Sequence, residues 1–390
     1  METRTFVGPA RRRPWWLAVL VALAWVSCSP PSSARHHARS VSSAPLPTLD
    51  SPQTLVLFAV DGVRWRDVFE GVEEKRALEQ GLPRKRIVGA AALTPNLHRL
   101  MARGAVLGAP GEPVGIAASG PNFVSLPGYM EMLTGRSPSG CLDNNCKRVT
   151  SPTIADEFAA LPGVRPIDVG VIASWPGIGR AASREPSQIT LSVGRTSGAT
   201  RDRLRFDKHE SQLLAEGERD GHGPGYGDFR RDTATAAIAL YYLRKIRPRF
   251  LFIGLGETDE YAHHNNYGGY LDALHFADHV VGQVADELAA LRREGRRTTL
   301  FVTTDHGRSR HFVNHGAFAP ESARTWLVAA GWGIEPCGET APGHERHTAN
   351  VAATLRWLGG LGPADGNTQP LWSVLDTGPE TEVALAPGNM

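Results

Sequence analysis

Five short apolar runs without polar alternation constrain this chain more than any other feature: Thr54 to Val60, Ile167 to Ala173, Phe250 to Leu255, Thr299 to Thr303 and Thr325 to Ala330. A strand with one wet face alternates polar and apolar residues. A strand covered on both faces does not, and such strands belong to mainly parallel sheets. Helical patterns lie between the runs. The clearest puts Leu271, Leu274, Ala277, Val281, Val284, Leu288 and Leu291 on one stripe, with Gly295 placed to end it. Residues 232–246 and 350–358 read as two further helices. Alternating strand and helix predicts an α/β fold with a central, mainly parallel sheet and helices on both faces. The stretch from Pro176 to Gly227 is rich in Gly, Ser, Arg and Asp and has little periodicity. It predicts an irregular insertion, either a cover over a site or plain surface.

The first residues read differently. Arg11, Arg12 and Arg13 precede the apolar run Trp15 to Val26, which is short for a membrane span, so residues 1–28 predict an export signal. Cys28 follows Trp25-Val26-Ser27 directly and opens the alternative of a lipid anchor, although Trp25 is a poor fit to the small aliphatic residue usual ahead of a lipid-bearing cysteine. The chain is therefore expected outside the cytoplasm, as a periplasmic protein or a membrane-anchored lipoprotein. Residues 29–50, rich in Ser, Pro and Ala, predict a disordered linker, and residues 51–390 one large catalytic domain. The formal charge is +2, and residues 1–27 carry four Arg and one Glu, so the remainder is near neutral. No global basic face recommends a nucleic-acid partner. Cys141 and Cys146 are close enough for a small disulfide loop, and Cys337 is expected as a buried free thiol.

Three of the runs lead straight into metal-type ligands. Val60 precedes Asp61-Gly62, Leu255-Gly256 precedes Glu257-Thr258-Asp259, and Thr304 precedes Asp305-His306-Gly307. One carboxylate at a strand end is ordinarily a turn or a helix cap. Several together lie where open parallel sheets bind ligands, beyond the carboxyl ends of their strands. Asp259 and His263 are four apart and share a direction on a helical turn, so both can grip one cation. Carboxylates mixed with imidazole suit zinc, with manganese as the alternative. Ser125 stands before Leu126-Pro127-Gly128-Tyr129 and an apolar helix. A serine there is ordinarily an N-cap, yet the same place lets a helix N-terminus favour a phosphate oxygen.

The order Asp-Gly, Ser-x-Pro-Gly-Tyr with Leu-Thr-Gly, Asp-x-x-x-His and Asp-His-Gly, spread over about residues 54–360, resembles the alkaline phosphatase superfamily, in its phosphatase and nucleotide pyrophosphatase/phosphodiesterase-like branch. The resemblance implies a two-zinc phosphoester hydrolase with Ser125 as nucleophile, acting on a small-molecule phosphoester. It implies one zinc on Asp61, Ser125, Asp305 and His306, and another on Asp259, His263 and one further histidine. That histidine is open between His315 and His347, with His344 behind both. His315 is favoured because a loop between two sheet strands returns to the site at little entropic cost. Asn144 and Asn145 lie as far beyond the serine as the asparagine that binds a phosphoryl oxygen in phosphodiesterase relatives, although a polar turn closed by a disulfide explains them as well. Sulfatases of the superfamily carry an arginine where Tyr129 stands, which argues against a sulfatase. A silent metal-binding protein of the same fold is the remaining alternative.

Overall fold

The computed structural model describes residues 52–111, 115–137, 140–195, 208–219, 223–339, 346–362 and 368–376. The expected export signal and linker therefore lie outside the described residues. Among the described residues, no helix is long and apolar enough to cross a membrane.

Among the described residues, eight strands form one sheet. They are β1 (Gln53–Val60), β2 (Ala105–Leu107), β3 (Val169–Ala173), β4 (Thr190–Val193), β5 (Phe250–Leu255), β6 (Arg297–Thr303), β7 (Leu327–Gly331) and β8 (Gly338–Glu339), in the spatial order β4-β3-β5-β1-β6-β7-β2-β8. β1 is central and parallel to both neighbours, with Val60 beside Leu255 of β5 and Ala59 beside Thr303 of β6. All eight residues of β1 are buried. Its alternate side chains divide between two cores: Leu55, Leu57 and Ala59 join one, Val56, Phe58 and Val60 the other. That division is why the run shows no polar alternation.

Helices cover both faces, as the pattern predicts. Ser125–Thr134 and Ala349–Leu358 pack on the first core, Asp232–Ile246 and the long Tyr267–Arg293 on the second. Burying each large apolar side chain contributes on the order of 1.5–3 kcal/mol. Two expectations are corrected. The run at Thr325 supplies β7, but β7 pairs antiparallel to β6, because direction is not written in an apolar run. The stretch from Pro176 onward is not irregular throughout: it holds the helix Ile178–Ala182, the edge strand β4 and the helix Lys208–Arg219.

Cys141 and Cys146 form a disulfide, with Cα atoms 5.5 Å apart. Cys337 is also disulfide-bonded, which corrects the expected free thiol.

Candidate metal centre

Parallel pairing of β1, β5 and β6 brings their carboxyl ends side by side, and each end carries ligands. Asp61 follows β1. Asp259 and His263 stand on the helix Glu257–His263 that follows β5, and Asp305 and His306 follow β6. Two local features let these groups approach one another. Gly62 has φ +61°, and a Cβ there would lie 2.3 Å from Asp259 Oδ1, so the turn after β1 admits only glycine. A Cβ on Gly128 would lie 2.7 Å from the Asp305 carbonyl oxygen, so glycine lets the Ser125 helix press onto the end of β6.

The side chains fall into two overlapping groups. Asp259, His263 and His315 can meet at one cation, and Asp61, Asp259 and His306 at another. In the first, His263 Nε2 lies 3.0 Å from Asp259 Oδ2 and 3.0 Å from His315 Nε2. In the second, His306 Nε2 lies 3.6 Å from Asp61 Oδ1, and Asp305, outside the group, stands beside it with Oδ2 3.3 Å from His306 Nε2. The Ser125 hydroxyl is 3.5 Å from Asp61 Oδ1 and 3.3 Å from His306 Nε2. The His306 and His315 rings stack with centroids 3.9 Å apart, joining the groups.

Hydrogen bonding shows what this arrangement accepts. His306 Nδ1 lies 2.8 Å from the Gly307 carbonyl and His315 Nδ1 2.8 Å from the Phe123 carbonyl. Carbonyls only accept, so both Nδ1 atoms carry the proton and both Nε2 atoms turn lone pairs inward. Those lone pairs face carboxylate oxygens, an arrangement that calls for a cation between them. Asp305 Oδ2 is buried without a hydrogen-bond partner, a further open acceptor aimed at the same space. The residues fit divalent metal ions.

Electrostatics agrees. Burial, then the charges of Asp305 and Asp259, hold the Asp61 carboxyl well above its ordinary range, and burial followed by Asp259 lifts Asp305 to about 7. Burial lowers His306 to about 4 and His315 to about 3. Asp259 resists its burial: Arg308, with His315 and His263, holds it well below the usual carboxylate range. Buried acids that repel one another when ionised, beside the neutral imidazoles of His306 and His315, are a strain that a divalent cation would relieve.

Of the competing histidines, His315 is brought to the centre. His347 lies elsewhere, its backbone bridged to Ala117 and its amide bonded to Asn350. His344 is outside the described residues. Asn144 is also brought close: its Oδ1 accepts from the Leu126 amide at 2.8 Å, in the first turn of the Ser125 helix. Its backbone carbonyl is held by Arg180 at 2.7 Å. No such contact ties Asn145 to that helix; its amide closes on Asp143. The helix N-terminus is less open than its sequence suggests, since Asn144 caps Leu126, Pro127 has no N–H and the Gly128 amide bonds to Val124.

Three supporting residues escape the motif reading. The Tyr129 hydroxyl donates to Asp61 Oδ2 at 3.0 Å, and Thr258 Oγ1 donates to the Asp61 carbonyl at 2.6 Å. Arg308, its side chain fully buried, donates from Nη1 to Asp259 Oδ1. Tyr129 lies inside a quoted motif and Arg308 follows Asp-His-Gly directly, so position in the chain is the signal both offer.

The fold is α/β, and the side chains gathered at the strand ends could hold divalent metal ions. The family model described as the metalloenzyme superfamily matches residues 223–350. Among solved structures, alkaline phosphatase PafA is similar with a TM-score of 0.57 at 11% identity, covering 84% of this chain and all of that one. The phosphonate monoester hydrolase of Agrobacterium radiobacter gives 0.52 at 14%, covering 84% and 77%. A 2-O GAG sulfatase gives 0.52 at 15%, covering 83% and 74%. No curated protein sequence matches. The fold is similar to that of these structures, and the family match falls on the stretch that carries Asp259, His263, Asp305, His306 and His315.

Proposed function

We propose that this chain is an exported two-zinc phosphoester hydrolase that works through a phosphoserine on Ser125, with manganese as the alternative metal. The observation that carries the reading is the place of the serine: its hydroxyl opens a helix, is almost wholly buried, and lies within 3.5 Å of both Asp61 and His306. Asp61, Asp305, His306 and Ser125 would hold one ion and Asp259, His263 and His315 the other, Asp259 being near enough to serve both. Such ions supply a lowered serine pKa and a counter-charge for the leaving oxygen.

The protein's own groups do the rest. Ser125 Oγ gives up its proton to solvent and attacks phosphorus in line; the P–O bond to the leaving group breaks, the leaving oxygen takes a proton from solvent, and the phosphoryl group is carried on the serine. Water then attacks phosphorus, the Ser125 Oγ–P bond breaks and inorganic phosphate or a phosphomonoester leaves. Tyr129 occupies Asp61 Oδ2, which leaves Oδ1 turned toward the serine. With its Oδ1 taken by the Leu126 amide, Asn144 would offer its amide nitrogen to a non-bridging phosphoryl oxygen. Tyr129 in place of an arginine supports phosphoester over sulfate ester. Purified protein assayed against matched aryl phosphate monoesters, diesters and aryl sulfates tests this: hydrolysis of a phosphoester well above the sulfate supports it, and sulfate as the preferred substrate overturns it. Export, read from residues 1–28, is tested by fractionation and by the mass of the mature N-terminus, where uncleaved cytoplasmic protein would defeat it.

A further inference from the structure

The loop that carries His315 back from β6 is held by residues that take no part in the chemistry above. Phe312 is fully buried and has φ +75°, a backbone conformation that a bulky residue keeps only where its surroundings over-determine it. Its ring meets Tyr267 and Tyr270 edge-on, with centroids 5.2 and 5.0 Å away. The guanidinium carbons of Arg76, Arg64 and Arg308 lie 5.0, 5.1 and 5.8 Å from its centroid. Three cations around one desolvated ring, with two aromatic edges, make a closed socket.

The socket is itself rigid. The Tyr267 and Tyr270 hydroxyls donate to the two oxygens of Asp67 at 2.8 Å each, and Arg64 forks onto the same carboxylate. Both tyrosines open the helix Tyr267–Arg293, directly after the helix that carries Asp259 and His263. Arg308 joins the parts. Its Nε donates to the Phe312 carbonyl at 2.5 Å, its Nη2 to the Val313 carbonyl at 2.7 Å and its Nη1 to Asp259. Arg76 braces the loop from outside through the Arg310 carbonyl.

We infer that Arg308 and Phe312 are positioning residues for the cation of Asp259, His263 and His315: a fork and a plug that refer the His315 loop to the helix bearing the other two ligands. The inference rests on the two-cation reading. Outer partners of metal ligands set affinity by about 10- to 100-fold. Zinc titration of chelator-stripped protein, competed against a chromophoric chelator, reads this without any assay of activity. The wild-type chain should take two zinc ions. Arg308→Lys, which keeps the charge and loses the fork, should weaken one of them about 10- to 100-fold and the other, which shares only Asp259, clearly less. Phe312→Leu should weaken the same ion, identified as the one that His263→Ala abolishes. Near-ultraviolet circular dichroism selects the folded variants, and if Phe312→Leu does not fold, Arg308→Lys decides. Wild-type affinity for both ions in Arg308→Lys, or equal weakening of both, overturns the inference. A wild-type chain that takes fewer than two ions overturns the two-cation reading, and this inference with it, before any variant is made.

Discussion

Ser125 is the residue on which the proposed chemistry turns, and its contacts separate two consequences of removing it. Its hydroxyl faces Asp61 and His306, but the remaining ligands do not depend on it. Ser125→Ala should keep both metal ions and lose roughly 10³-fold or more in kcat, and acid quenching of the wild type during turnover should trap phosphate on the Ser125 peptide. Full activity in Ser125→Ala with no trapped label would move the attack to a water molecule. His315→Ala should lose one metal equivalent while His347→Ala keeps both, as elemental analysis can show, because only His315 faces Asp259 and His263. Tyr129→Phe removes the one hydroxyl donor to Asp61 Oδ2 and should weaken the Asp61 ion about 10- to 100-fold. Most candidate ligands were legible in the sequence because Asp61, Asp305 and His306 close apolar runs and Asp259 and His263 pair at a helical spacing, whereas His315 stands in a loop and came only with the resemblance. Arg308 and Phe312 were not: an arginine beside a ligand and a phenylalanine in a loop have no period, and their roles come from contacts across the chain.

At the scale of elements, the serine helix and the strand ends form one mechanical unit through Gly128. Gly128→Ala would set a methyl group against the Asp305 carbonyl, and the helix or β6 must give way. The expected result is a loss of about 1–3 kcal/mol by urea denaturation, with lower kcat in the fraction that folds. Wild-type stability and activity in that variant would show the contact to be loose. In the core, Phe252→Ala should cost about 3–5 kcal/mol, since its ring is wholly buried and meets Tyr129 edge-on. The central strands were readable because burial on both faces leaves an unbroken apolar run. Strands β2, β4 and β8 were not, since two to four residues carry no recognisable period. Strand direction was equally hidden: β7 runs antiparallel to both β6 and β2, although its run is as apolar as those of the parallel strands.

Across the whole molecule, the charges that the fold buries make stability depend on pH. Asp232, fully buried, is raised to about 7, by burial first and then by Glu257. A carboxyl raised above its unfolded value contributes stability that is complete below about pH 4 and is lost as pH rises through the folded value. The urea midpoint of chelator-treated protein should therefore fall between pH 5 and pH 8, and fall less steeply in Asp232→Ala; an identical slope would remove Asp232 from the account. Zinc should raise the midpoint, because ligands that bind only the folded chain stabilise it by mass action. The central strand carries a last consequence. Asp61 donates its amide to the Leu255 carbonyl at 2.9 Å, as an extension of the β1–β5 ladder, whereas the Ser309 amide is bonded only within its own loop, to the Asn314 carbonyl at 2.8 Å. The two ends of the metal centre thus belong to different opening events. In deuterium oxide the Asp61 amide should exchange only when the entire sheet comes apart, and the Ser309 amide through a local opening that releases His315 while the sheet stays intact. One edge of the centre would then breathe on a timescale of its own, and the ion held there would leave first.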